Sequence, residues 1–217
     1  RNAWTYSFLI LFTIFTLGLS LFHASVASIE GYSDITGTMI NMTLYLLPLM
    51  TLLLGSFSTT SEKEDGQWAL LSTYPISTYS FLLGKWLGLA LILITIVFFS
   101  FGLSGLLITL FGETLDTETY LFLVLFATLL AIIYLSIAIF IGAIAKNRWQ
   151  ALIIGISIWF ITIVAWPLLM ISTLSHLPSY KMIQPTLQVL TILNPAEFIR
   201  IFTMMQLGAG SAFGADY

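Results

Sequence analysis

The sequence predicts an all-α, polytopic transmembrane helical bundle with five spans and a cytoplasmic N-terminus. Three observations carry that prediction. First, 59% of the 217 residues are hydrophobic and only 8% are charged, whereas a soluble domain carries about 25% charged residues. A chain folded in water needs a polar surface that this composition does not supply, so the solvent is lipid. Second, five apolar runs (4–22, 38–57, 86–111, 120–145 and 149–174) contain no Asp, Glu, Lys or Arg. About 20 such residues cross roughly 30 Å of hydrocarbon as a helix. The runs are continuous rather than alternating, which excludes barrel strands and leaves helices to satisfy the backbone in lipid. Third, Arg1, Lys63, Lys85, Lys146 and Arg148 fall on one side, against Lys181 and Arg200 on the other. The basic side is cytoplasmic. Most acidic residues (Glu30, Asp34, Glu113, Asp116, Glu118, Glu197 and Asp216) then lie outside.

The first run is too long for a signal-peptide core and has no small-residue cleavage site. The chain starts at Arg1 rather than Met, so residues are expected upstream. A polar outer loop, 24–37, leads to the second span, where Pro48 is expected to kink the helix. A charged cytoplasmic loop, 58–85, follows. The third and fourth spans are joined by an acidic outer loop, 112–119. Lys146-Asn147-Arg148 is barely a turn, so the fourth and fifth spans are antiparallel neighbours. Pro167 is a second expected kink. Gly102, Ser104, Gly105, Gly142 and Gly155 are expected to serve close helix packing.

The outer segment 175–217 is expected to be structured. In "LNPAEFIRIFTMMQLG" Asn194 suits an N-cap, Pro195 the first helical position and Glu197 a capping box. Phe198, Ile201, Phe202 and Met205 share one apolar face, and Gly208 suits the helix end. This helix, too short to span, is expected at the outer interface or packed over the bundle. A sixth span is expected after residue 217. No internal repeat is visible.

Several function classes find no support. The net charge of −3 with scattered basic residues is no footprint for nucleic acid. Without cysteine there are no disulfides, thiolate metal sites or thiol nucleophiles. No GxxxxGK[ST] occurs; "LGKWLG" lacks the spacing and "GAGSAFG" the lysine. His23 and His176 stand at span ends without an obvious carboxylate partner, so they read as interfacial rather than catalytic. Met39, Met42, Met50, Met204 and Met205 read as packing residues rather than Cu(I) ligands. Catalytic, cofactor and metal sites are therefore expected to be absent. Ion-coupled carriers keep charge within their spans, and these spans have none. Energy for transport must enter from outside the bilayer.

That places weight on "SEKEDGQWALLSTYP", residues 61–75. Acidic residues precede Gly66, then "QWALLST" makes two helical turns, and Pro75 stops them with Tyr74 pushed from the α region. Glu64 and Asp65 are expected at the helix start, where the dipole favours them. Trp68 and Leu71 share a face that can lie on the membrane surface or plug into a soluble partner.

The stretch "SEKEDGQWALLSTYPISTYSFLLGKWLG" resembles the first cytoplasmic loop of type-two ABC exporter permeases. The match falls on Glu62, Glu64, Gly66, Leu70, Leu71, Thr73, Tyr74, Pro75, Leu82, Leu83, Gly84 and Lys85, with Gln67 and Thr78 departing from the usual Thr and Arg. "RNAW", "LNPAEFIRIF" and "GADY" are similar to permeases of the transporters that mature nitrous oxide reductase.

The resemblance implies a single permease domain, 1–217, in a bacterial or archaeal cytoplasmic membrane. It implies a cytoplasmic ATPase subunit that binds the ATP, a second permease copy and a periplasmic or extracellular accessory protein, all among membrane lipid. The helix after Gly66, with Glu62, Glu64, Gln67, Trp68, Leu71, Tyr74 and Pro75, would receive the motion of ATP binding. Asn194, Pro195, Glu197, Phe198 and Arg200 mark the outer helix. The implied cargo is copper or a sulfur species for a copper enzyme. Generic export of lipid, peptide or drug is the alternative cargo, and a non-transporting scaffold is the alternative class. A membrane enzyme has no residue constellation behind it.

Overall fold

A computed structural model of the chain describes residues 3–26, 32–68, 73, 77–110, 117–177 and 182–206. Every element among them is helical: α1 (Ala3–Val26), α2 (Tyr32–Glu64), α3 (Thr78–Leu110), α4 (Thr117–Ile144), α5 (Arg148–Trp159), a π-helical segment (Phe160–Ala165), α6 (Trp166–Ser175), α7 (Ile183–Leu193) and α8 (Pro195–Gln206). Ile40–Glu64, Thr78–Leu107, Tyr120–Ile144 and Arg148–Ser175 are long and apolar enough to cross a membrane. The last of these joins α5, the π segment and α6 into one fifth span. α1 adds 24 helical residues, about 36 Å at 1.5 Å per residue.

Two helices outrun their apolar runs. α2 continues to Glu64 and α3 begins at Thr78, so most of the described residues of the expected 58–85 loop are helical. In the extension of α2, Thr59 and Thr60 donate back to Gly55 O (3.0 Å) and Ser56 O (2.8 Å). Polar side chains there are satisfied inside the helix, and it need not end at the hydrocarbon boundary.

α2 and α4 form the centre and run parallel: Gly55 meets Ala138, and Gly142 meets Thr59 four residues on. A Cβ at Gly55 would stand 2.6 Å from Ala138 Cβ, and one at Gly142 2.5 Å from Thr59 Cβ and 2.9 Å from Ser56 O. These glycines let two backbones touch, the main attraction open to helices in lipid. Gly105 is also tight, against Tyr120, but Gly102 faces open space and Gly155 only approaches Leu52. Around the seam lie Leu47, Leu52, Leu130, Tyr134, Leu135 and Ala138, all buried.

α1 packs on α3, and α3 on α4. Phe12, Phe101 and Tyr120 meet edge to face across the three helices, and Thr13 Oγ1 and Ser100 Oγ share a hydrogen bond of 2.8 Å. The fifth span lies against α2, where Trp159 Nε1 donates to Tyr45 O (2.8 Å). It is the peripheral span: 11% of its apolar window is buried, against 44–56% for the other three. α2 runs on through Pro48. Pro167 lies two residues beyond the end of the π segment.

Of its two expected positions, at the outer interface or packed over the bundle, the outer helix takes the second, against α4 and α2, but with the expected apolar face turned outward. α7 and α8 form a hairpin beside the fifth span. Trp166 Nε1 donates to Leu190 O (3.2 Å) and Asn194 Nδ2 to Thr162 O (2.6 Å). One partner steps back four residues as the other steps forward four, so α7 is antiparallel to α6. Thr162 lies midway between the ends of the Arg148–Ser175 span, and the hairpin's apex, Asn194, therefore reaches about half its depth. The helix does not rest at the interface.

Nor does its apolar face cover the bundle. Phe198, Phe202 and Met205 are exposed, while Asn194, Glu197 and Thr203 are buried. In lipid the apolar face belongs outside, and the polar face finds its partners in the protein interior. The hairpin thus brings a Glu197–Arg200 pair into the bundle, although none of the five apolar runs carries charge.

Candidate functional site

The charged residues of 61–65 close α2 rather than open the next helix. Glu64 is the last residue of α2, where the helix dipole disfavours a carboxylate. Partners from two other elements offset the negative charge of this stretch. Glu62 Oε2 lies 2.5 Å from Lys85 Nζ on α3. Glu64 Oε2 lies 2.6 Å from Arg148 Nε on α5, and its Oε1 accepts the Arg148 backbone N–H at 2.8 Å. Asp65 is 3.6 Å from the same guanidinium.

Lys63 points the other way. Its Nζ donates to Ala143 O (2.8 Å) and Ala145 O (2.9 Å) at the end of α4. Those carbonyls have lost their intrahelical donors, and an ammonium there also matches the negative pole of the helix dipole. Four consecutive charges at the end of α2 therefore clasp α3, α4 and α5.

The clasp leads directly to the next segment. Gly66 has φ +73°, a left-handed turn that glycine adopts without strain, and its N–H bonds back to Lys63 O (3.2 Å). Gln67 and Trp68 are then helical. Trp68 is half-buried, edge-on to Phe81 of α3 with ring centroids 6.1 Å apart. Lys63 Nζ sits 5.2 Å from its ring centroid, within cation–π range. The indole Nε1 is buried and finds no acceptor among the described residues. Lys63 thus touches both Trp68 and the end of α4. Leu71, Tyr74 and Pro75 lie outside the described residues, as does Gly208.

Outside, Asn194 is the N-cap of α8, its Oδ1 accepting the Ala196 N–H at 3.1 Å, and Pro195 is the first helical residue. The Glu197 carboxylate is held by both Arg200 Nε (3.0 Å) and Nη2. Phe198 faces outward. His176 caps α6, its Nδ1 2.7 Å from Ser172 O.

Lys63 and Arg148 were legible only as counters of orientation, and Lys85 as that and as part of the loop resemblance. The alternating Glu-Lys-Glu at a helix end was the available signal: it sends neighbouring charges to different partners.

Burial ranks the pairs. Lys85 has a side chain only 8% exposed and also donates to Ser58 O at 2.8 Å. Removing Glu62 leaves that ammonium nearly buried without its counter-charge. Glu62→Ala is expected to cost about 2–3 kcal/mol, while Asp65→Ala, at a more exposed and longer pair, costs about 0–1 kcal/mol. Thermal melting of the two variants in one detergent checks the order.

These helices and their clustered charges define a multi-pass membrane protein that carries a charged clasp at the basic end of its bundle. The sequence profile of the ABC-2 family of transporter proteins matches residues 16–214, and the chain belongs to that family. It is 28% identical over 222 residues to a probable ABC transporter permease protein NosY from Stutzerimonas stutzeri, covering 99% of this chain and 80% of the relative. A probable NosY permease from Pseudomonas aeruginosa is likewise 28% identical over 223 residues, with the same coverage. The chain is thus a permease-type subunit similar to NosY, and ABC membership implies an ATPase partner.

Proposed function

We propose that this permease takes up the motion of a cytoplasmic ABC ATPase through the segment that begins at Gln67 and Trp68. The observation that carries the reading is Lys63, which contacts the Trp68 ring and the last carbonyls of α4 together. A push on the segment reaches α2 through Gly66, α4 through Lys63, and α3 and α5 through Glu62 and Glu64. Discrete helices joined by ion pairs move as bodies rather than deforming continuously.

A second permease copy is supported by the sparsely buried fifth span. The bacterial relatives support a place in the inner membrane. Copper or a sulfur species as cargo, and an accessory protein outside, rest on the resemblance to the permeases of reductase maturation.

The test is Trp68→Ala in the complex with the ATPase. Assembly and the response of ATP hydrolysis to the permease are both expected to fall, because an aromatic anchor is removed. If both stay intact, the segment carries no coupling. If assembly persists and the response is lost, a scaffold is excluded. In cells that express a copper-dependent reductase, the same variant is expected to leave that enzyme short of copper; full metallation would point to another cargo.

A further inference from the structure

We propose that Asn194 supplies the hydrogen-bond donor that Pro167 lacks, and that this bond latches the α7–α8 hairpin to the point where the fifth span can bend. In the π register a carbonyl accepts from the fifth residue after it. For Thr162 O, in the π segment Phe160–Ala165, that residue is Pro167, which has no N–H. An orphaned carbonyl halfway along a membrane span is costly. Asn194 Nδ2 donates to this oxygen, at 2.6 Å.

The surroundings hold the arrangement. The Thr162 hydroxyl accepts from Tyr134 OH (2.8 Å) on α4 and donates to Ile158 O (2.8 Å). In return Trp166 Nε1 satisfies Leu190 O, one of the end carbonyls of α7 that the helix leaves unbonded. Span and hairpin thus exchange donors at two levels. If the span straightens to α register, Thr162 O regains a donor from its own helix and the hairpin loses its hold. If the hairpin withdraws, the π register is left with an unmet carbonyl. The two movements are therefore linked.

Asn194 also caps α8, and the test must separate the roles. Asn194→Ser keeps a capping oxygen but does not reach Thr162. Pro167→Ala restores an N–H to the span. The chain has no cysteine, so Ala196→Cys, at a buried position beside the apex, gives a unique label. Cells expressing the full chain are treated from outside with a membrane-impermeant maleimide.

Asn194→Ser is expected to raise the labelling rate by about tenfold or more, the effect of one unmet buried acceptor on the opening equilibrium. In the Pro167→Ala background the same serine substitution is expected to change it less than about twofold. Melting temperatures of the variants without the cysteine should follow the same pattern. An equal effect in both backgrounds, or no effect in either, overturns the proposal. If Asn194→Ser does not accumulate, its accumulation together with Pro167→Ala supports the latch, and failure of that pair as well overturns it.

Discussion

Replacing Gly142 with valine is expected to prevent the chain from folding into a stable bundle. Its first added carbon would stand 2.5 Å from Thr59 Cβ and 2.9 Å from the Ser56 carbonyl, and one of these neighbours is backbone. Relief requires α2 and α4 to separate along the seam they share. That separation also draws Lys63 from Ala143 and Ala145. Overpacking typically costs about 1–3 kcal/mol, and alanine alone is expected to reach the top of that range. Valine adds two more methyl groups at the same point. Gly102→Ala is the control: nothing lies within 4 Å of its would-be Cβ, and alanine is favoured over glycine in a helix by up to about 1 kcal/mol. The check is yield of monodisperse protein in detergent, with melting where it survives. A Gly142→Val chain as stable as wild type would mean that α2 and α4 are not in contact there.

The second large effect is expected from Lys63→Met. Methionine keeps the length and apolar stem of lysine but not its charge, so two terminal carbonyls of α4 lose their donor and the Trp68 ring loses its cation. Charge-assisted hydrogen bonds contribute about 1.5–3 kcal/mol each. Solvent reaches this end of the bundle and replaces part of that, so stability is expected to fall by about 1–2 kcal/mol. The functional loss is larger: with the α4 contact gone, ATP hydrolysis by the assembled complex is expected to stop responding to the permease, although the ATPase still binds. Lys63→Arg, which retains a cation, should keep most of the response. Normal coupling in Lys63→Met would move the path of force away from Lys63.

The two results probe features of very different legibility. The spans were plain in the sequence because lipid demands long uncharged runs, and the described residues of all five expected runs are helical except Ala145, which follows the end of α4. The Asn194–Pro195 helix start was also visible, since capping depends on neighbours in sequence. The extent of α2 was not visible. It is set by Lys85 and Arg148, which lie far along the chain, and hydropathy alone stops the helix near residue 57. Gly102 and Gly142 look alike in sequence, yet one faces open space and the other another helix's backbone.

What the sequence determined by itself is the solvent: composition and charge-free runs require a helical bundle in lipid, whatever the packing. Only the tertiary structure decided where the few polar groups go. Phe198, Phe202 and Met205 form an apolar face in the sequence, but whether that face points in or out depends on what surrounds the helix. Likewise Glu62, Lys63 and Glu64 form a charged patch whose use depends on partners. A hydrogen bond or ion pair between distant residues leaves no local pattern, and both the clasp and the Asn194 contact are built from such bonds.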